Sequence, residues 1–443
     1  MPENNKVNRR GFLKTAAGAA AGAIAIPYIV PSSVFGADGG VAPSNRLHVG
    51  MIGVGGQGVW DMRGFLDRPE ALVVAICDID VKHQKLAKAE ADLKYGNNDI
   101  KTYNDFRDVI ARSDIDIIAT AVPDHWHSIP AIMAAEAGKD IHGQKPLART
   151  IKEGRAICDA VKRYGGIWQT GSWQRSVYNF RRACELVRNG RIGKVHTVEV
   201  GLPTGSTRGN ESIKPVPAGV DWEMWLGPAP WVPFRGILHW DWRWIMDYSG
   251  GQLTDWAGHH IDIAHWALDL EHTGPVEVEG QGTYPKDGIF NVPYEYKVTT
   301  KYANGITMII ANDRKLPHGM GTCWYGDKGW LHVTREDDAN ARGEPLQASD
   351  KKILNEVIGP NEIHLYESKD HHQNFLDCVK SRRETITPAE VAHRSLTPAL
   401  LGEIAMLTGR KLKWDPEKEV IVGDEEANRM LSRPMRSPWH LYM

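Results

Sequence analysis

Leu47-His48-Val49-Gly50-Met51-Ile52 is a short apolar run that ends in Gly53-Val54-Gly55-Gly56-Gln57-Gly58, and a helix-periodic stretch follows from Val59 to Leu66. Glycines at 53, 55 and 58 between a strand and a helix constrain the chain strongly. Gly53 serves a tight turn, Gly55 lets backbone approach a pyrophosphate, and Gly58 permits close helix–strand packing, with the helix N-terminus facing the phosphates. Such triads arise by chance in a chain holding 44 Gly, so context decides. A second apolar run, Ala71 to Cys77, ends in Asp78, twenty residues after Gly58. An acid at that place hydrogen-bonds an adenosine ribose 2′-hydroxyl and disfavours a 2′-phosphate. The loop, with Gly56 and Gln57 inside it, reads as a site for NAD rather than NADP.

The alternation continues. Ile115–Thr120 reads as strand, Ile129–Ala137 as helix, Asp140–His142 as strand, Ile151–Tyr164 as helix and Ile167–Thr170 as strand. That pattern means a doubly wound parallel sheet with its ligand at the strand C-terminal ends, here over residues 45–171. Beyond it the runs Val195–Val200, Val276–Gly282, Tyr294–Tyr302, Ile306–Asn312 and Trp330–Val333 alternate in the manner of a mostly antiparallel sheet. Two helices, His371–Ser381 and Ala389–Thr408, close the chain. The expected fold class is α/β: an N-terminal Rossmann doubly wound parallel sheet plus a C-terminal α/β domain, 172–424, with a large, mostly antiparallel open sheet. A polar tail, 425–443, is expected to wrap onto a neighbouring subunit.

The first forty residues read as an address. Arg9 and Arg10 precede an apolar stretch from Thr15 to Val30 and a small-residue exit at Val34–Ala37. This is the layout of an export signal. The run Asn8-Arg9-Arg10-Gly11-Phe12-Leu13-Lys14 resembles the twin-arginine consensus. The expectation is a Tat signal peptide over 1–37, cleaved after Gly36 or Ala37, delivery by the Tat translocase to the periplasm or outside, and a cofactor loaded before export. An uncleaved anchor helix is the alternative. Five widely spaced cysteines with no CxxC predict neither a disulfide nor a thiolate metal site. Composition removes other classes. With 42% apolar and 24% charged residues the chain is neither disordered nor collagen-like, and a net charge of −2 (53 − 55) gives no basic footprint for nucleic acid.

Two segments carry a resemblance. One is Ala121-Val122-Pro123-Asp124-His125-Trp126-His127 with Gly143-Gln144-Lys145-Pro146; the other is Gly250-Gly251-Gln252-Leu253-Thr254-Asp255-Trp256-Ala257-Gly258-His259-His260-Ile261-Asp262. Together with the glycine loop they resemble the Gfo/Idh/MocA family of glucose–fructose oxidoreductases and inositol dehydrogenases, over roughly residues 46 to 410. The resemblance implies a Rossmann domain joined to an open-sheet domain that binds substrate and makes dimers or tetramers. It implies that Gly53, Gly55, Gly56, Gln57, Gly58, Asp78, Pro123, His127, Gln144 and Lys145 contact NAD. Lys145 also reaches the reacting hydroxyl, His259 is the general acid/base, and Asp255 is its partner. Asp255 and His259 stand i, i+4 on one expected helix, hence on one face, and a carboxylate-oriented imidazole suits proton removal from an alcohol. Gln144 departs from the family's Glu; an amide still hydrogen-bonds a ribose hydroxyl but brings no charge to Lys145.

His260 and His265 stand near His259 and Asp262, but the spacing leaves one of them off the face, so no metal is expected. His371 and His372 read as solvated surface. Eight of the 16 Trp fall between Trp222 and Trp266. Indole faces stack on sugar rings and also simply fill cores; half are assigned to each role, with Trp242, Arg243, His260 and Arg175 as substrate contacts. Three functions follow. The first is a secreted oxidoreductase that uses tightly bound NAD on a sugar or glycoside ring hydroxyl, carbon 3 being one candidate. The second is a redox-neutral NAD-dependent glycosidase, a branch that the resemblance associates with loss of the motif lysine. The third is a non-catalytic sugar-binding protein, which would have shed Lys145, Asp255 or His259.

Overall fold

Apolar segments too short to bury themselves singly pair into two sheets in the computed structural model, which describes residues 45–336 and 342–441. The segment expected to direct export, with its cleavage site, lies outside the described residues. From Leu47 onward the chain forms one compact unit.

The first sheet contains β1 (Leu47–Ile52), β2 (Ala71–Cys77), β3 (Lys101–Tyr103), β4 (Ile117–Thr120), β5 (Asp140–Gly143) and β6 (Trp168–Thr170). Its spatial order is β3-β2-β1-β4-β5-β6 with every pair parallel. The order reverses between β1 and β4, where doubly wound sheets open a crevice for ligand. The covering helices are α1 (Gly56–Leu66), α2 (Val81–Tyr95), α3 (Phe106–Ile110), α4 (Ser128–Glu136) and α5 (Ile151–Tyr164). Their ends are locally encoded. Asp80 caps α2 by accepting from Lys82 N, Thr150 caps α5 by accepting from Glu153 N, and Gly96 and Gly165 stop these helices at φ 69° and 68°.

The second sheet has nine strands in the order β13-β12-β11-β7-β10-β9-β8-β14-β15. The sequence marks β7 (Val195–Leu202), β8 (Glu277–Thr283), β9 (Glu295–Lys301), β10 (Thr307–Asn312) and β12 (Gly329–Val333). It does not mark β11 (Gly321–Gly326), β13 (Leu346–Ala348), β14 (Leu412–Asp415) or β15 (Val420–Ile421), which are short or interrupted by glycine. One pair, β7 with β10, is parallel and the other pairs are antiparallel. The remaining helices are α6 (Tyr178–Arg188), α7 (Trp222–Leu226), α8 (Gly251–Trp256), α9 (Asp262–Leu268), α10 (Lys351–Leu354), α11 (His371–Ser381), α12 (Ala389–Thr408) and α13 (Glu425–Arg429). A five-residue π-helical turn, Ala257–Ile261, joins α8 to α9.

The described part of the tail packs on its own chain: Arg433 pairs with Glu153 and donates to the His125 carbonyl, Arg436 pairs with Glu223, and Trp439 packs on Phe106 and Trp126. One surface reading is corrected. His371 is not solvated and His372 is mostly enclosed. His371 is buried between the Thr170 carbonyl and Ser176, and His372 stacks on His142 at 5.2 Å, above a glycine, Gly64, that makes room for it. All five cysteines are buried and free.

Candidate active site

The glycine loop is built as its spacing demands. Gly53 has φ 79°, and a Cβ at Gly58 would overlap the Gly53 carbonyl oxygen, so helix α1 packs against the turn only because that atom is missing. A Cβ at Gly56 would meet nothing, which leaves that backbone open to the cavity above it. Asp78, at the end of β2, accepts from Val54 N at 2.8 Å and Asp80 N at 2.9 Å. The acid is therefore tied to the turn.

Gly53, Gly55, Gly56 and Asp78 line a cavity with Gln57, Val122, Pro123, Asp124, Gln144 and Lys145 from the first sheet's strand ends, and with Trp225, His239, Trp242, Arg243 and Asp255 from beyond it. The cavity joins most of the expected residues, but Gly58, His127, Arg175, His259 and His260 do not line it.

Lys145 Nζ donates to Asp255 Oδ1 at 2.9 Å and to the Asp255 carbonyl at 3.3 Å. Arg243 comes within 3.6 Å of the same carboxylate, its guanidinium lying between Trp240 and Trp242 at 4.2 and 4.3 Å. Burial pushes the Asp255 carboxyl up, but the charges of Lys145 and Arg243 outweigh it and hold the group below its ordinary value. The pairing differs from the one expected. Asp255 faces Lys145, and among the described residues no hydrogen bond joins it to His259. The π turn is the reason: with i→i+5 bonding, a residue four on no longer sits above its predecessor. Gly258, inside that turn, admits the lysine, since a Cβ there would lie 2.9 Å from Lys145 Cβ.

His259 is buried with its ring edge-on to Trp256, and its Nδ1 has no hydrogen-bond partner. Burial first, then the charges of Arg335 and Lys145, keep its pKa well below the ordinary imidazole value. The imidazole is neutral and able to accept a proton. His260 is a packing residue rather than a substrate contact: it is fully buried, stacked on Trp256 at 5.6 Å and 12°. His127 also differs from expectation, bracing the Pro146 and Val122 carbonyls behind the motif. Arg175 is corrected outright. It is 2% exposed, forms a two-pronged pair with Asp262 (2.6 and 2.8 Å), bonds Glu271 and lies over Trp266. Three of its five N–H groups bond buried carboxylates and it does not line the cavity, so it serves packing.

Gln144 lines the cavity, but its amide Nε2 donates to both oxygens of Asp61, at 3.0 and 2.8 Å. Burial raises Asp61 to about 7 against the opposing bonds from Gln144 and Gln57. A carboxylate already stands behind Gln144; a Glu there would face it directly.

Of the eight clustered tryptophans, Trp222, Trp225, Trp242, Trp244 and Trp266 are buried, and the first four build a separate core with Phe234, Tyr248 and Phe290. Packing claims more than the expected half. That core carries a roof over the cavity. Val81 N donates to the Gly219 carbonyl, Asp80 bridges to Val220, Asp221 N donates to the Ile79 carbonyl, and Trp126 Nε1 donates to the Trp225 carbonyl. Sequence reasoning missed Asp124, His83 and His239 on the cavity wall; an acid in Val-Pro-Asp-His and two isolated histidines carry no spacing signal.

Comparison with known proteins agrees with this geometry. Residues 47–172 match the oxidoreductase-family NAD-binding Rossmann fold of Gfo/Idh/MocA proteins, and residues 181–332 and 356–441 match the family's C-terminal alpha/beta domain. A levoglucosan dehydrogenase of Pseudarthrobacter phenanthrenivorans is 31% identical over 234 residues, 50% of this chain and 51% of that one. An alpha-N-acetylgalactosaminidase of Shewanella oneidensis is 31% identical over 177 residues, 36% of this chain and 38% of that one. The WlbA dehydrogenase of Bordetella pertussis, solved in complex with NADH and UDP-GlcNAcA, superposes with a TM-score of 0.62 at 15% identity, covering 84% of this chain and 99% of that one.

Proposed function

Given that the chain belongs to the NAD-binding Gfo/Idh/MocA oxidoreductase family, we propose that it oxidises a ring hydroxyl of a sugar or glycoside with NAD held captive. The observation that carries this reading is the buried Lys145–Asp255 pair, set in the same cavity as the glycine loop. Gly55, Gly56 and Gln57 offer open backbone for the pyrophosphate, Asp78 faces the adenosine ribose, and Lys145 stands toward the nicotinamide. NAD, when bound, supplies the hydride acceptor. Lys145 Nζ, held by Asp255, donates to the substrate hydroxyl oxygen and stabilises negative charge as it develops. The neutral imidazole of His259, buried behind the cavity lining and within range of the Lys145 charge, is assigned the hydroxyl proton, which requires the substrate to reach past Lys145. Arg243 adds a second cation, and Trp242 supplies an indole face.

In this reading residues 45–171 hold the dinucleotide, 172–424 hold the substrate and the contacts of a dimer or tetramer, and 1–37 direct twin-arginine export. Export argues for captivity, because free nicotinamide nucleotide is scarce outside the inner membrane. The roof of residues 219–243, hydrogen-bonded across the cleft, supports slow release of the cofactor. The sugar class rests on the relatives' named substrates. A second reading, redox-neutral glycoside cleavage, is favoured by the stretch shared with the alpha-N-acetylgalactosaminidase. In that case oxidation is followed by elimination of the aglycone, addition of water and return of the hydride.

The test adds a panel of glycosides to purified protein with no NAD supplied, and follows the absorbance of reduced nicotinamide. A rise supports the oxidoreductase with captive cofactor. A flat trace with glycoside hydrolysed supports the glycosidase. A flat trace with no nucleotide released on denaturation overturns captivity.

A further inference from the structure

Three donors from two separate segments meet at the mouth of the cavity. Asp80 and His83 come from the start of α2 and His239 from the roof, and their ligand atoms all lie within 4.8 Å of one another. His239 Nε2 stands 3.2 Å from Asp80 Oδ2, and the two imidazole rings are 4.2 Å apart. A tetrahedral zinc with bonds of roughly 2.0–2.1 Å needs donors about 3.3 Å apart, so one edge of such a site is already formed. Asp78 Oδ2 stands 3.5 Å from His83 Nδ1, a carboxylate beside a candidate metal-binding imidazole, as second-shell carboxylates commonly are.

We propose that Asp80, His83 and His239 form a binding site for a zinc-class transition cation, and that the bound ion staples the roof across the nucleotide cavity. Two imidazoles and one carboxylate suit zinc, cobalt or nickel rather than magnesium, which wants oxygen ligands and keeps its waters. Three protein ligands leave a coordination position open. The ion ties residue 239 to residues 80 and 83, adding a bond exactly where the two segments already share backbone contacts at Val81–Gly219 and Asp80–Val220. The stapling role, though not the metal site itself, rests on the reading that NAD fills this cavity.

The experiment uses the full protein with NAD bound, stripped of metal by a chelator and dialysed. Zn²⁺ is titrated in competition with a colorimetric chelator, Co²⁺ is followed by its visible absorption, and Mg²⁺ serves as control. NAD release is timed with and without Zn²⁺. The expected result is one equivalent of Zn²⁺ per chain, a cobalt spectrum of tetrahedral type and NAD release slowed about tenfold. His83→Gln and His239→Gln each abolish the cobalt spectrum and the slowing, while thermal melts without metal confirm that the variants fold. A stoichiometry unchanged in both variants overturns the site. Zn²⁺ that binds one equivalent but speeds NAD release overturns the staple. If no NAD is retained in any state, the captive-cofactor reading fails, and the cobalt spectrum still decides the metal site.

Discussion

Two buried clusters of cations and carboxylates flank the π turn, and they differ in what they leave undone. On one side Arg175 is enclosed by Asp262, Glu271 and the face of Trp266, and Asp262 also accepts from Ser395. The cluster is enclosed away from the cavity, so no ligand reaches it. On the other side Lys145 bonds one carboxylate oxygen and one carbonyl of Asp255, and the ammonium faces a cavity with a third proton to give. Both sets are charged, buried and near the same helix. Burial and charge therefore do not distinguish chemistry from packing; unspent hydrogen-bonding capacity at a cavity wall does.

The sharpest way to break this contrast is Arg175→Ala, which leaves the buried Asp262 carboxylate, among the described residues, with no cation and only the Ser395 hydroxyl, while Glu271 keeps Arg188. It should cost about 3–5 kcal/mol of stability, read by denaturant unfolding, while kcat per folded molecule holds. A fall in kcat at unchanged stability would return Arg175 to the substrate site. The reciprocal experiment is Lys145→Ala or His259→Ala. Each should lower kcat by about 10²-fold or more with NAD still bound; His259→Ala should move thermal stability little, whereas Lys145→Ala leaves the buried Asp255 carboxylate to Arg243 alone and should lower it as well. With the His259 imidazole pushed below its ordinary value, the acid limb of kcat/KM should lie below about pH 6.5. An acid limb above that value would remove His259 as the base.

What the sequence made legible follows from the range over which each feature is determined. The glycine loop is local: the turn, the close approach and the helix start lie within six residues, so Gly53 and Gly58 are found where spacing puts them. The bounds of α5, α11 and α12 coincide with the sequence reading because caps and periodicity are local too. Arg175 was misread because its carboxylate lies 87 residues away, and nothing in Ser172-Trp173-Gln174-Arg175 signals that partner. The Asp255–His259 pairing failed on a different ground: one extra residue in a helical turn rotates everything after it, and no sequence rule marks the π turn. The roof, with His83 and His239, was invisible because its contacts across the cleft join segments 98 residues or more apart. Gly58→Ala tests the local end of this scale. The added Cβ meets the Gly53 carbonyl oxygen, so the variant should lose about 1–3 kcal/mol and much of its NAD affinity. Unchanged NAD affinity would mean the loop tolerates a wider turn than its spacing implies.

A third charged cluster lies between the two extremes and gives the mildest test. Arg155 bonds both oxygens of Glu390, at 2.7 and 2.9 Å, and also reaches Glu419, while Arg394 bonds Glu390 at 2.8 Å. Burial would raise the Glu390 carboxyl, but the Arg155 bonds and the surrounding charges outweigh it and lower the group from 4.5 to about 2. A carboxyl depressed in the folded state contributes stability that is complete above its unfolded value, and that contribution is lost as pH falls toward the folded one. The wild type should therefore lose part of its stability between pH 4.5 and about 2 through this residue. Glu390→Gln should be slightly less stable at neutral pH and should flatten that acid segment, with denaturant midpoints collected across the range as the readout. Because the cluster is partly buried, paired throughout and absent from the cavity lining, kcat should not change. An altered kcat would show that satisfied ion pairs far from the cavity also reach the chemistry, and the distinction drawn between Arg175 and Lys145 would lose its basis.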